Sequence, residues 1–188
     1  YLQFESFSLL LQTNYKRQRM NIFDIAKQNQ EKAWQVIKNT NIIQIWEDAG
    51  AKINLVGSLR TGLLMKHRDI DFHIYSSPLN LTDSFQAMAR LAENPSIKRI
   101  ECANLLHTAE ACIEWHAWYQ NEENELWQMD MIHIREGSRY DGYFEKVAQR
   151  ISEIMTDEIR ETILRLKYET PETEKIIGVE YYLSLIHI

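Results

Sequence analysis

The stretch "VGSLRTGLLMKHRDIDFHIY" (Val56–Tyr75) holds a Gly-Ser pair, a short apolar and basic segment, and an Asp-Ile-Asp triplet inside an otherwise apolar run. "DIDFHIY" alternates as a strand does. Asp69 and Asp71 then point to one face, and Ile70, Phe72 and Ile74 to the other. Two carboxylates that close repel, and burying them without a partner is costly. The strand therefore calls for something positive between them.

Working outward, helical spacing runs from Asn21 to Asp48 through Ile22, Ile25, Ala26, Ala33, Ile37, Ile42, Ile45 and Trp46, with an interruption expected at Asn39–Asn41 and Gly50 closing the segment. "KINLVGS" reads as a strand, "LRTGLLM" as a short helix and "DIDFHIYS" as the next strand. After Pro78, "LTDSFQAMARLAEN" is an amphipathic helix capped near Thr82 or Asp83. "IKRIECAN", "ACIEWHAWYQ" and "LWQMDMIHI" are three further strands, and the "NEEN" loop with Glu122, Glu123 and Glu125 reads as solvated. One helix is expected from Tyr140 to Lys167 through Phe144, Val147, Ile151, Ile154, Ile159, Ile163 and Leu166. The order implies an α+β (layered α/β) domain, a mixed sheet of about five strands carrying helices.

Of 188 residues, 45% are apolar and 26% charged, as in globular proteins, and the net charge is -6. That balance disfavours a non-specific nucleic-acid coat. Cys102 and Cys112 are too few for a disulfide framework and read as reduced core residues of a cytoplasmic protein. No apolar run is long enough to span a bilayer. Residues 1–19 read as an extension, 20–139 as the catalytic domain and 140–182 as a helical segment that further chain would continue. The final "LSLIHI" (183–188) reads as a non-native tail.

Val56-Gly57-Ser58, a ten-residue gap and Asp69-Ile70-Asp71-Phe72 resemble the signature of the DNA polymerase beta-like nucleotidyltransferases, from Lys52 to Ile134. Asp130 in "LWQMDMIHI" matches the family's third carboxylate, and the short architecture resembles the bacterial aminoglycoside and lincosamide enzymes. The resemblance implies a nucleotidyltransferase fold and two Mg²⁺ ions held by Asp69, Asp71 and Asp130 as metal ligands and catalytic residues. It also implies ATP or another nucleoside triphosphate as donor, and a nucleoside monophosphate, AMP for ATP, passing to an acceptor hydroxyl. Asp130 would bind the ion that activates that hydroxyl. Gly57 permits a tight turn and close approach to phosphate, and Ser58 and the following helix start offer donors to it. Arg60, Lys66 and Arg68 are candidate phosphate-neutralising residues, balanced against solvated charges on a connector.

His73 shares Asp71's face, whereas His133 opposes Asp130 and packs or faces solvent. A zinc site from His67, His73, His116 and His133 has no recognised spacing. Trp115, Trp118, Trp127 and Tyr119 form either a stacking wall or core, and Ser138, Arg139 and Tyr140 are candidates for the acceptor pocket. The acidic balance and small size favour a small-molecule acceptor, such as an antibiotic, over nucleic acid or membrane. The alternatives are a toxin–antitoxin type protein adenylyltransferase, whose last helix would expose an apolar face, and an inactive nucleotide-binding module.

Overall fold

The computed structural model describes residues 21–171, 173–174, 176 and 178–185. The expectations for residues 1–19, and for 186–188 of the tail, lie outside them.

Asn21 caps the first helix, α1 (Ile22–Thr40), its side chain accepting from the Phe23 amide at 3.3 Å. Asn41 ends it in a left-handed conformation (φ 53°), which Asn tolerates, and α2 (Ile42–Asp48) follows. The interruption expected at Asn39–Asn41 is thus a cap between two helices. The strands are β1 (Lys52–Leu55), β2 (Asp69–Tyr75), β3 (Ile97–Asn104), β4 (Cys112–Gln120) and β5 (Leu126–Ile134), in the spatial order β1-β2-β5-β4-β3. Only β2 and β5 run parallel, so the sheet is mixed and has five strands, as expected.

Three local expectations fail. The helix expected over "LRTGLLM" is instead one turn, α3 (Gly57–Arg60). Gly62 (φ +71°) breaks it, and the next three residues alternate: Leu64 enters the sheet's core, while Leu63 and Met65 enter a second apolar cluster. Second, α4 (Leu81–Ala92) is capped by Asn80, which accepts from the Thr82 amide at 2.9 Å, not by Thr82 or Asp83. Third, the helix expected over Tyr140–Lys167 is two, α5 (Tyr143–Ile154) and α6 (Asp157–Glu169). Met155 is extended and Thr156 caps α6, accepting from the Ile159 amide at 3.2 Å, with Asp157 and Glu158 favourably placed in its first turn. A last helix, α7 (Gly178–Leu185), takes in the first residues of "LSLIHI".

The core divides in two. α1, α2 and α4 cover one sheet face, burying Trp46, Ile70, Phe72, Ile74, Trp115, Trp127 and Met129. The start of α1 packs with α5, α6 and α7 through Ile22, Ala26, Ile151, Ile163, Leu164, Tyr181 and Tyr182. Between this helical cluster and the other sheet face lies a cleft of about 930 Å³. Cys112 is buried but Cys102, on the edge strand β3, is exposed, so only one cysteine is a core residue; both are free. Among the described residues, no helix is long and apolar enough to cross a membrane.

Candidate active site

The period of β2 turns Ile70, Phe72 and Ile74 into the core and leaves Asp69, Asp71 and His73 lining the cleft. On the neighbouring parallel strand β5, Asp130 lies directly across from Asp71. The three aspartates therefore share one sheet face. The turn after β1 closes over Asp71. Gly57 has φ +66°, and a Cβ there would stand 1.9 Å from Asp71 Oδ2 and 2.6 Å from Cγ. Only glycine fits this close approach. The Val56 amide donates to the Asp71 carbonyl at 2.9 Å, and the Ser58 amide donates to the Asp71 carboxylate. Burial at the cleft floor, then repulsion from Asp69 and Asp130, push the Asp71 carboxyl up to about 7 against the pull of Lys167 and the Ser58 amide.

Lys167 is the principal residue that the sequence reading missed. It reaches in from α6, is buried, and donates to Ser58 Oγ at 2.7 Å and to the Leu63 carbonyl at 3.0 Å. Burial pulls its ammonium down to about 8, opposed by the nearby Asp69 and Asp71 charges. Tyr182 on α7 brings its hydroxyl to 3.4 Å from Ser58 Oγ. A signal existed: Lys167 falls four residues after Ile163, on the buried stripe of α6, where a lysine needs a partner.

On the far side of Asp130, β4 presents Cys112, Glu114 and His116 to the cleft. His116 Nδ1 is 2.5 Å from Asp130 Oδ1, and the Gln128 amide donates to the same oxygen at 2.7 Å. Tyr140 and Phe144 form the opposite wall. Behind them Glu145 accepts from Asn54 at 3.1 Å and from Tyr75 at 2.9 Å, and pairs with His73 at 3.4 Å. Burial alone would raise the Glu145 carboxyl, but bonds from His73, Asn54 and Tyr75 outweigh it and hold the group at about 2.

No protein-family model and no curated protein matches the sequence. Solved structures do resemble it. The Cid1 poly(U) polymerase with MgGTP bound aligns with a TM-score of 0.60 at 13% identity, over 86% of this chain and 52% of its own. The GLD-2/RNP-8 complex aligns at 0.63 and 9% identity, over 88% and 58%. A cytoplasmic RNA terminal U-transferase aligns at 0.55 and 11%, over 86% and 49%. The chain has the nucleotidyltransferase fold. It spans about half the length of the structures it matches.

Within this fold Gly57, Ser58, Asp69, Asp71 and Asp130 all line the cleft, whereas Arg60, Lys66 and Arg68 are not among its lining residues. Arg60 is exposed on α3. Lys66 donates to the carbonyls of Tyr168 and Thr170 at the end of α6, and Arg68 pairs with Glu125 at 3.0 Å. The "NEEN" acids are therefore not simply solvated, since Lys32 also bridges Glu123 and Glu125. Trp115, Tyr119 and Trp127 belong to the core on the opposite face. Trp118 is covered by the Arg99 guanidinium, 3.5 Å from its ring centre. Of the three candidates after β5, Tyr140 lines the cleft, and Ser138 and Arg139 do not. His133 packs, bonding Ser76 at 2.8 Å and Ser84 at 3.1 Å, and burial pulls it down to about 4.

Among the described residues no group of three or more His, Cys, Asp or Glu side chains converges as a ready-made metal site, which leaves the four-histidine zinc idea without support. Mg²⁺ does not need such a cage; it usually takes one or two carboxylates, water and substrate phosphates. The donor set here is all hard carboxylate oxygen, and Asp71 is raised by burial and then by its acidic neighbours. These residues fit that ion.

Proposed function

We propose that the protein is a Mg²⁺-dependent nucleotidyltransferase that moves a nucleoside monophosphate, AMP where the donor is ATP, onto a hydroxyl of a small molecule and releases pyrophosphate. One observation carries this: Asp71 and Asp130 face each other across β2 and β5, beside a turn at whose Gly57 no side chain fits and a buried Lys167. Asp69, Asp71 and Asp130 would hold the metal, with water and substrate phosphates completing its ligands. When bound, Mg²⁺ supplies charge neutralisation for an in-line displacement at the α-phosphorus. The Ser58 hydroxyl and the Lys167 ammonium, already paired at 2.7 Å, receive the triphosphate. Asp130 takes the proton of the acceptor hydroxyl as its oxygen bonds to the α-phosphorus and the bond to the β-phosphate oxygen breaks.

The acceptor enters from the β4 side, because the turn and Lys167 occupy the other. That side offers Glu110, Glu114 and Cys112, Tyr140 and Phe144 line the wall opposite, and Lys167 is the only Lys or Arg among the cleft's described lining residues. Such a lining repels a phosphate backbone and suits a neutral or amine-bearing alcohol, which supports an aminoglycoside- or lincosamide-like acceptor over RNA. The structural neighbours named for RNA-directed activity set the competing case.

The test supplies α-labelled nucleoside triphosphates and Mg²⁺ with pooled aminoglycosides and lincosamides, an RNA oligonucleotide, and cell lysate. Label is expected on a small molecule and lost with Asp71→Asn. Label on RNA or on a protein band would replace the acceptor assignment. No transfer in any arm, despite nucleotide binding, would leave only a binding module.

A further inference from the structure

Both hydrogen bonds that Asp130 receives fall on one oxygen. His116 Nδ1 and Gln128 Nε2 meet Oδ1 at 2.5 and 2.7 Å, and among the described residues Oδ2 accepts none. The two donors come from different strands. Gln128 lies two residues earlier on β5 and so on the same face, and His116 is the residue registered opposite Asp130 on β4. The imidazole has two looser neighbours. Its Nε2 is 3.9 Å from Glu114 Oε2, and its ring lies 6.2 Å from that of Trp118, which Arg99 covers in turn. With Asp130 taken as the accepting carboxylate, the tautomer assigned to His116 carries its hydrogen on Nδ1.

We propose that His116 and Gln128 are positioning residues that pin Asp130 through Oδ1, so that Oδ2 alone is presented to the metal and the acceptor hydroxyl. The inference rests on the proposed nucleotidyl transfer. The physical gain is preorganisation. Asp130 stands opposite Asp71 in a repulsive trio, and without the two donors its side chain would rotate away from the other acids. Partners of this kind typically change metal affinity ~10–100-fold when removed.

The experiment titrates the full chain with Mn²⁺, read by electron paramagnetic resonance and needing no turnover. His116→Ala is expected to weaken Mn²⁺ binding ~10–100-fold, and His116→Gln, which keeps an amide donor, to recover most of the loss. Gln128→Ala, a smaller perturbation, should weaken it in the same direction and serves if His116→Ala does not fold. In turnover assays kcat should fall while KM for the nucleotide stays near wild type, because the triphosphate partners are untouched. Unchanged Mn²⁺ affinity in His116→Ala and Gln128→Ala, with Asp130→Asn weakened, overturns the positioning role and leaves nucleotidyl transfer standing. A His116→Gln variant as weak as His116→Ala also overturns it. Mn²⁺ affinity unchanged even in Asp130→Asn overturns the metal assignment beneath both.

Discussion

Asp71→Asn should stabilise the metal-free protein. The Asp71 carboxyl rises from 3.8 to about 7 because its charge is buried and faces Asp69 and Asp130. Folding thus raises the free energy of the ionised group by about 3 pKa units, a ceiling of ~4 kcal/mol at ~1.36 kcal/mol per unit. Asp71 still opens onto the cleft, so water screens part of this, and about half, ~2 kcal/mol, is a realistic gain. Asparagine keeps an oxygen for the Ser58 amide and removes the charge. Between pH 3.8 and about 7 the folded Asp71 keeps a proton that the unfolded chain has released. Wild-type stability therefore falls as pH rises through that window, and the advantage of the variant grows across it and levels off above. In a domain of this size ~2 kcal/mol is a midpoint increase of ~4–8 °C. Melting curves of both proteins in chelator, at about pH 4 and about pH 8, read it directly. His133 and Glu145 also titrate below neutrality but are common to both proteins and cancel in the difference. Added Mg²⁺ should reverse the order, raising the wild-type midpoint by mass action and not the variant's. A variant less stable than wild type at the higher pH without metal, or an advantage independent of pH, would refute the electrostatic account.

Gly57→Ala places a Cβ 1.9 Å from Asp71 Oδ2 at a left-handed position, a backbone cost of ~1–2 kcal/mol before any displacement of Asp71. Divalent affinity should fall at least ~10-fold and the melting midpoint should drop; a crystal structure with Asp71 unmoved would contradict this. Glu145→Gln removes a carboxylate held at about 2, whose stabilising effect is complete above pH 4.5 and lost as pH falls toward 2. With the side chain 25% exposed, ~1–2 kcal/mol is expected at neutral pH after screening, shrinking in acid, and urea denaturation across pH measures it.

The sheet was legible because its strands are apolar enough for any acid to stand out. Asp69, Asp71 and Asp130 interrupt runs of Ile, Phe, Met and Trp, and period two alone puts the first pair on one face. The third needed only the pairing of β2 with β5 to come opposite Asp71. The cations were not legible, for the opposite reason. Arg60, Lys66 and Arg68 are near the acids in sequence, but direction is not set by nearness. Gly62 ends α3 after one turn, and the segment beyond carries Lys66 to the end of α6, where its ammonium meets free carbonyls and the negative end of the helix. Arg68 finds Glu125 instead. The lysine that does reach the acids is 109 residues from Ser58 and arrives by helix packing. It belongs to an apolar stripe that continues across the Met155–Thr156 break, which hid both that break and the odd lysine among the isoleucines. Burial of Lys167 is costly, and its ammonium is pulled down to about 8. A fold that bears that cost beside three aspartates gains a charge held ready for an anion, and α6 and α7 supply it from outside the sheet that the motif describes.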